Sequence, residues 1–184
     1  PCFASTPMNA KDVLSLDARS LSNAIKTKQV TCEELMEATL ERIHAINSKC
    51  NAIIQLRDED DLMSLAREAD GDYRKGWLHG IPVAIKDLSN VKGIPTTMGG
   101  SALFETFVPN SNDFFVDKMV KEGAIVIGKT NAPENGLGSH TFNSRWGTTV
   151  NPFDMTKSAG GSSGGAAVAV ATRMLCSADG SDMM

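Results

Sequence analysis

Apolar residues recur at helical spacing over residues 16–28 (Leu16, Ala18, Leu21, Ala24, Ile25) and again after Thr31, where Leu35, Ala38, Ile43 and Ile46 share one face. Thr31 and Glu34 occupy the two positions of a capping box, which predicts that the second helix starts there. A short strand is predicted at Ala52–Leu56, then an acidic helix over about 58–70 and a turn at Gly71. The apolar run Ile81–Ile85 predicts a buried strand closed by Lys86, and a Gly/Thr-rich loop through Gly99 and Gly100 follows it. Next come a helix near Asp113–Glu122, a strand at Ala124–Ile127, a long loop from Asn131 to Gly161 and an alanine-rich segment, Ala166–Ala171. This alternation predicts an α/β sheet covered by helices.

No repeat, low-complexity tract or linker divides the 184 residues, so the chain reads as one domain or part of a larger one. Hydrophobic residues make up 41% and charged residues 22%, which is ordinary for a globular chain that builds a core. The net charge is −4 and the basic residues are scattered, so no electrostatic footprint for nucleic acid is present. No apolar window approaches the ~18 residues of a membrane span, and the opening Pro1-Cys2-Phe3-Ala4-Ser5 lacks the layout of a signal peptide. Cys2, Cys32, Cys50 and Cys176 are far apart and form no CxxC, which argues against a zinc site or a disulfide framework. A cytoplasmic location is the expectation.

Gly123-Ala-Ile-Val-Ile-Gly128-Lys129-Thr130 matches a phosphate-binding loop letter for letter. Its context argues otherwise. Such a loop needs a strand before it, pliable residues within it and a helix after it. Here a helix precedes, β-type residues fill the interior and Pro133 follows. The segment therefore reads as a buried strand ending at Gly128. The histidines suggest no triad: His44 falls in the second helix, His79 before the Lys86 strand and His140 in the long loop. No His/Cys/Asp/Glu cluster shows metal-ligand spacing, so no metal is expected.

The remaining candidate chemistry is lysine and serine. A lysine closing an apolar strand either extends its ammonium to water or is desolvated into a neutral amine that accepts a proton. Ser158-Ala-Gly-Gly-Ser-Ser-Gly-Gly165 tips the balance, because glycines on both sides of a serine pair allow close backbone approach. A flexible linker is the alternative reading, but an apolar helix follows and the Gly/Ser composition does not repeat.

Gly80-Ile-Pro-Val-Ala-Ile-Lys86-Asp87, Gly128-Lys-Thr-Asn-Ala-Pro-Glu134, Asn151-Pro152-Phe153-Asp154 and Ser158 to Gly165 resemble, in order, landmarks of the amidase signature family. The resemblance runs from about residue 14 to the end. It implies a mixed central sheet between helices, of which this chain is an N-terminal portion, with a helical region over about 1–50 and part of the α/β core over 51–184. It also implies a carboxamide-hydrolysing amidase that works through a Ser-Ser-Lys triad and an acyl-enzyme, with no metal or cofactor. In this sequence Lys86 matches the base and Ser162 the bridging serine, whose preceding peptide bond is cis in the family. Ser163 is its neighbour on the substrate side, Gly136 and Leu137 match the stretch that faces substrate, and backbone amides near Met183 and Met184 match part of the oxyanion hole. The family's nucleophile would fall at position 186, and the sequence closes at Met184, where the family usually has glycine. The implied ligand is a small-molecule amide, with no nucleic-acid or membrane contact; a homodimer, or association through the missing half, is left open. Two alternatives stand beside an amidase. One is the glutamine-hydrolysing subunit of an aminoacyl-tRNA amidotransferase, whose loop tends to differ from Gly138-Ser-His-Thr-Phe-Asn143; the other is a non-catalytic truncated paralogue.

Overall fold

In the computed structural model, which describes residues 10–182, the N-terminal helices are set by their caps. A six-residue helix, α1 (Ala10–Ser15), precedes α2 (Ala18–Lys26), whose first turn is closed by Asp17 accepting the Ser20 N–H at 2.7 Å. The capping box forms at the start of α3 (Cys32–Cys50): Thr31 Oγ1 accepts the Glu34 N–H at 3.0 Å and Glu34 accepts the Thr31 N–H at 2.8 Å. Two further N–H groups of that turn, those of Cys32 and Glu33, donate to Asp70 at 2.8 and 3.0 Å. Asp70 lies near the end of α4 (Glu59–Gly71), itself capped by Asp58, so one carboxylate ties two helix ends together.

The sheet has three strands in the order β1 (Ile53–Leu56), β3 (Ile125–Thr130), β2 (Pro82–Lys86). β1 runs antiparallel to β3 and β2 runs parallel to it, with Lys86 opposite Thr130. The parallel pair requires a crossover, and α5 (Phe114–Lys121) lies within it. β2 and β3 are buried at every position, which explains their nearly unbroken apolar runs. Leu35 and Met36 of α3, Leu62 of α4, Ile85 of β2 and Ile127 of β3 join one hydrophobic cluster, so the helices and the sheet share a core.

Three differences from the sequence-based expectations matter. β3 does not stop at Gly128 but continues through Thr130, carrying Lys129 into the interior. The long loop contains two small antiparallel pairs, β4 (Phe142–Asn143) with β5 (Gly147–Thr148) and β6 (Val150–Asn151) with β7 (Asp154–Ser158). The last helix, α6 (Gly164–Ala171), begins directly after the serine pair. Its second glycine has a steric reason: a Cβ on Gly165 would stand 2.4 Å from the Asn131 nitrogen and 2.6 Å from the Ala52 oxygen, where the helix meets the sheet. No helix among the described residues is long and apolar enough to cross a membrane.

Candidate active site

Lys86 ends β2 with its side chain inside the protein, 1% exposed, and three serine hydroxyls surround its amine. Nζ lies 2.7 Å from Ser162 Oγ, 2.9 Å from Ser163 Oγ and 2.9 Å from Ser181 Oγ. Burial pushes the Lys86 pKa below the usual lysine value, and the charges of Asp179 and Asp182 pull it partly back. A buried amine whose charged form is disfavoured by desolvation thus faces three hydroxyls, which can donate to its lone pair once it is deprotonated.

Each serine is placed by backbone. The peptide bond between Gly161 and Ser162 is cis. The loop before the pair is braced from the 139–141 segment, where the Thr141 N–H donates to Gly160 O at 2.9 Å and Thr141 Oγ1 accepts the Gly164 N–H at 3.0 Å. On the far side, the Ser181 N–H donates to Ser163 Oγ at 3.1 Å. Asp179 accepts the backbone N–H of Lys86 at 2.8 Å, which anchors the turn carrying Ser181 to the end of β2.

Lys86, Ser162 and Ser163 therefore meet in space. Gly136 sits against Leu88, two residues beyond Lys86, since a Cβ there would lie 2.7 Å from Leu88 Cδ1. Leu137 is 66% exposed, and among the described residues neither it nor Gly136 hydrogen-bonds to the lysine cluster. Met183 and Met184 lie outside the described residues. Ser181 is a site residue that the sequence alone does not single out; its one local signal is a serine beside Gly180. The histidines stand apart: His44 Nε2 contacts Glu59 at 2.6 Å, His79 is buried with Nε2 against Ala69 O, and His140 Nδ1 meets Ser158 Oγ at 2.5 Å. The phosphate-loop lookalike is a strand, with Lys129 and Thr130 wholly buried in it.

A second buried polar system lies behind the first. Asp87 follows Lys86 and accepts the N–H groups of Thr97 at 2.9 Å and Gly99 at 3.1 Å, together with the Thr97 hydroxyl. Lys129 donates to Ser89 O and, at 3.1 Å, to Thr96 Oγ1. Burial pushes Asp87 and Asp179 above the usual carboxylate range and Lys129 down to about 8.

Known proteins resemble this chain in sequence and in fold. The chain is 39% identical over 174 residues to a glutamyl-tRNA(Gln) amidotransferase subunit from Thermoanaerobacter pseudethanolicus, an alignment covering 93% of this chain and 35% of the relative. It is 36% identical over 178 residues to an acylamidase from Rhodococcus erythropolis, covering 95% of this chain and 37% of that one. Among solved structures, a bacterial aryl acylamidase of the amidase signature family superposes with a TM-score of 0.80 at 30% identity, covering 87% of this chain and 34% of that chain. A fatty acid amide hydrolase superposes with a TM-score of 0.87 at 26% identity, covering 97% and 32%. The chain thus spans about a third of the length of the relatives it matches. The family model described as Amidase matches residues 34–183, a stretch that holds Lys86 and all three serines around it, and the chain belongs to the amidase signature family.

Proposed function

We propose that this chain carries the base and the relay serine of an amide hydrolase. In the reaction, the nucleophilic serine lies after Met184, at the position the family resemblance assigns it. Neutral Lys86 takes the proton of Ser162 as Ser162 takes that of the nucleophile, whose oxygen attacks the carboxamide carbon. The relay then returns the proton to the leaving amine, and water resolves the acyl-enzyme by the same route. Backbone amides around residues 183–184 contribute to the oxyanion hole, where one donor is typically worth about 2.7–4 kcal/mol. The observation that carries the reading is the 2.7 Å approach of Ser162 Oγ to an amine that is 1% exposed. Ser163 and Ser181 complete the hydrogen-bond set of the amine and hold it toward Ser162.

The test is amine release from simple aryl and alkyl amides by the full-length protein and its Lys86→Met and Ser162→Ala variants. Loss of turnover in both, with the fold kept, supports the relay; sustained turnover in a folded Lys86→Met protein rejects lysine as the base.

A second reading is supported by the 39% identity to an amidotransferase subunit. In it the same lysine and serines hydrolyse glutamine and the ammonia passes to a partner. Glutaminase activity that rises when partner subunits and charged transfer RNA are added would favour this reading; turnover of aryl amides without partners would favour the first.

A further inference from the structure

Ser163 stands at the N-terminal cap position of α6, yet its side chain makes no capping bond to that helix. Its hydroxyl lies 2.9 Å from Lys86 Nζ instead and accepts the Ser181 N–H. A serine at this position ordinarily turns its hydroxyl back onto an N–H of the first helical turn, where the N–H groups have no acceptor within the helix. Two of them are satisfied from outside: the Gly165 N–H donates to Asn131 O at 3.2 Å and the Gly164 N–H to Thr141 Oγ1 at 3.0 Å.

Thr141 is wholly buried, one residue before β4. Its N–H donates to Gly160 O at 2.9 Å, so the same residue grips the chain before the serine pair and after it. Its carbonyl accepts the Thr149 N–H at 2.9 Å, and the Thr149 hydroxyl donates to Asn51 O at 2.6 Å, at the C-terminal end of α3. A Cβ on Gly164 would stand 2.3 Å from Thr141 Oγ1 and one on Gly161 3.1 Å from it, so the glycines flanking the serine pair leave room for this hydroxyl. The bonds through the Thr141 backbone do not depend on its side chain; the one to Gly164 depends on the hydroxyl alone.

We propose that Thr141 is a positioning residue for the serine pair. Its hydroxyl caps α6 in place of Ser163, which frees the Ser163 hydroxyl for the lysine amine and fixes the exit of the loop that presents Ser162 to it. Among the described residues Thr141 hydrogen-bonds to neither Lys86 nor either serine, so it acts through the loop. Its effect on turnover rests on the relay proposed above, whereas its hold on Gly164 does not.

The experiment pairs kinetics on a simple aryl amide with hydrogen exchange in the full-length protein. Thr141→Val replaces the hydroxyl by a methyl of similar volume, and Thr141→Ser keeps the hydroxyl. In Thr141→Val, kcat falls about 10–100-fold, up to the scale of a misplacement near 1 Å, while KM stays within about threefold. The Gly164 amide exchanges faster, and amides in the middle of α3 keep wild-type exchange. In Thr141→Ser, kcat and Gly164 exchange both stay within about threefold of wild type. Wild-type kcat or unaltered Gly164 exchange in a folded Thr141→Val protein overturns the proposal, as does a Thr141→Ser protein impaired as much as Thr141→Val. If Thr141→Val does not fold, Thr141→Ala removes the hydroxyl without setting a methyl against the Gly164 N–H and is judged by the same two readouts. An active Lys86→Met protein would reject the functional reading alone, leaving the exchange result to decide what Thr141 holds.

Discussion

Two lysines are buried on neighbouring parallel strands, one register position apart and so on opposite faces of the sheet, and their surroundings differ. Lys86 meets three serine hydroxyls, whereas Lys129 meets a carbonyl and a threonine hydroxyl. Burial lowers the pKa of both. The difference lies in the partners: Lys86 faces three hydroxyls that can give up a proton, whereas Lys129 has one hydroxyl and a carbonyl that can only accept. Desolvation therefore lowers the basicity of the amine in either place, and the loops at strand ends decide which hydrogen-bond partners it meets.

The strongest way to break the comparison is to remove Lys86. Lys86→Met in the full-length protein is expected to lose about 10²–10⁴-fold in amide turnover, the scale of general base catalysis. Its thermal midpoint should hold or rise, because an apolar chain of similar length replaces a desolvated amine. A large fall in the thermal midpoint would show that Lys86 holds the fold as well as the proton.

Next in size is the pH dependence of stability. Lys129 titrates at about 8 in the folded chain, below the ordinary lysine value of 10.5. Between these values the unfolded chain holds a proton that the folded chain does not. The Lys129 contribution to stability is therefore present above 10.5 and lost as the pH falls through about 8. Urea unfolding across this window should show stability rising with pH, and Lys129→Met should remove up to about 3 kcal/mol of the rise. An unchanged slope would mean that Lys129 is not the titrating group.

The sequence carries the first half of this contrast better than the second. The helices α2 and α3 announce themselves by period, and α3 also by the Thr31–Glu34 capping box at its N-terminus. The β2 and β3 runs are apolar because both are buried throughout. By contrast, α1 has six residues and the strand pairs within 142–158 have two to five residues each, too short for a period to show. Lys86 and Ser162 are legible because each stands in a distinctive local motif. Ser181 is not, because its role arises from a contact across 95 residues of chain. Lys129 reads as part of a strand, but a buried lysine leaves no pattern that tells which acids surround it.

A subtler test acts on the charge beside Lys86. Asp179 raises the Lys86 pKa against the lowering effect of burial. Asp179→Asn should therefore let it fall further, moving the acid limb of kcat/KM to lower pH by up to about one unit. A limb moving upward would show that the ionised Asp179 is itself required. The smallest effect serves as a control remote from the site. Thr31→Ala removes the α3 cap and should cost about 1 kcal/mol of stability with kcat unchanged.

The most direct measurement is the titration of Lys86 itself, followed by NMR of the full-length protein labelled at lysine Cε, with the resonance assigned by its absence in Lys86→Met. A lysine base predicts a midpoint below 10.5, coinciding with the acid limb of kcat/KM for amide hydrolysis. A Lys86 that remains an ammonium up to 10.5 or beyond, in a protein that turns over amides at neutral pH, would contradict that role.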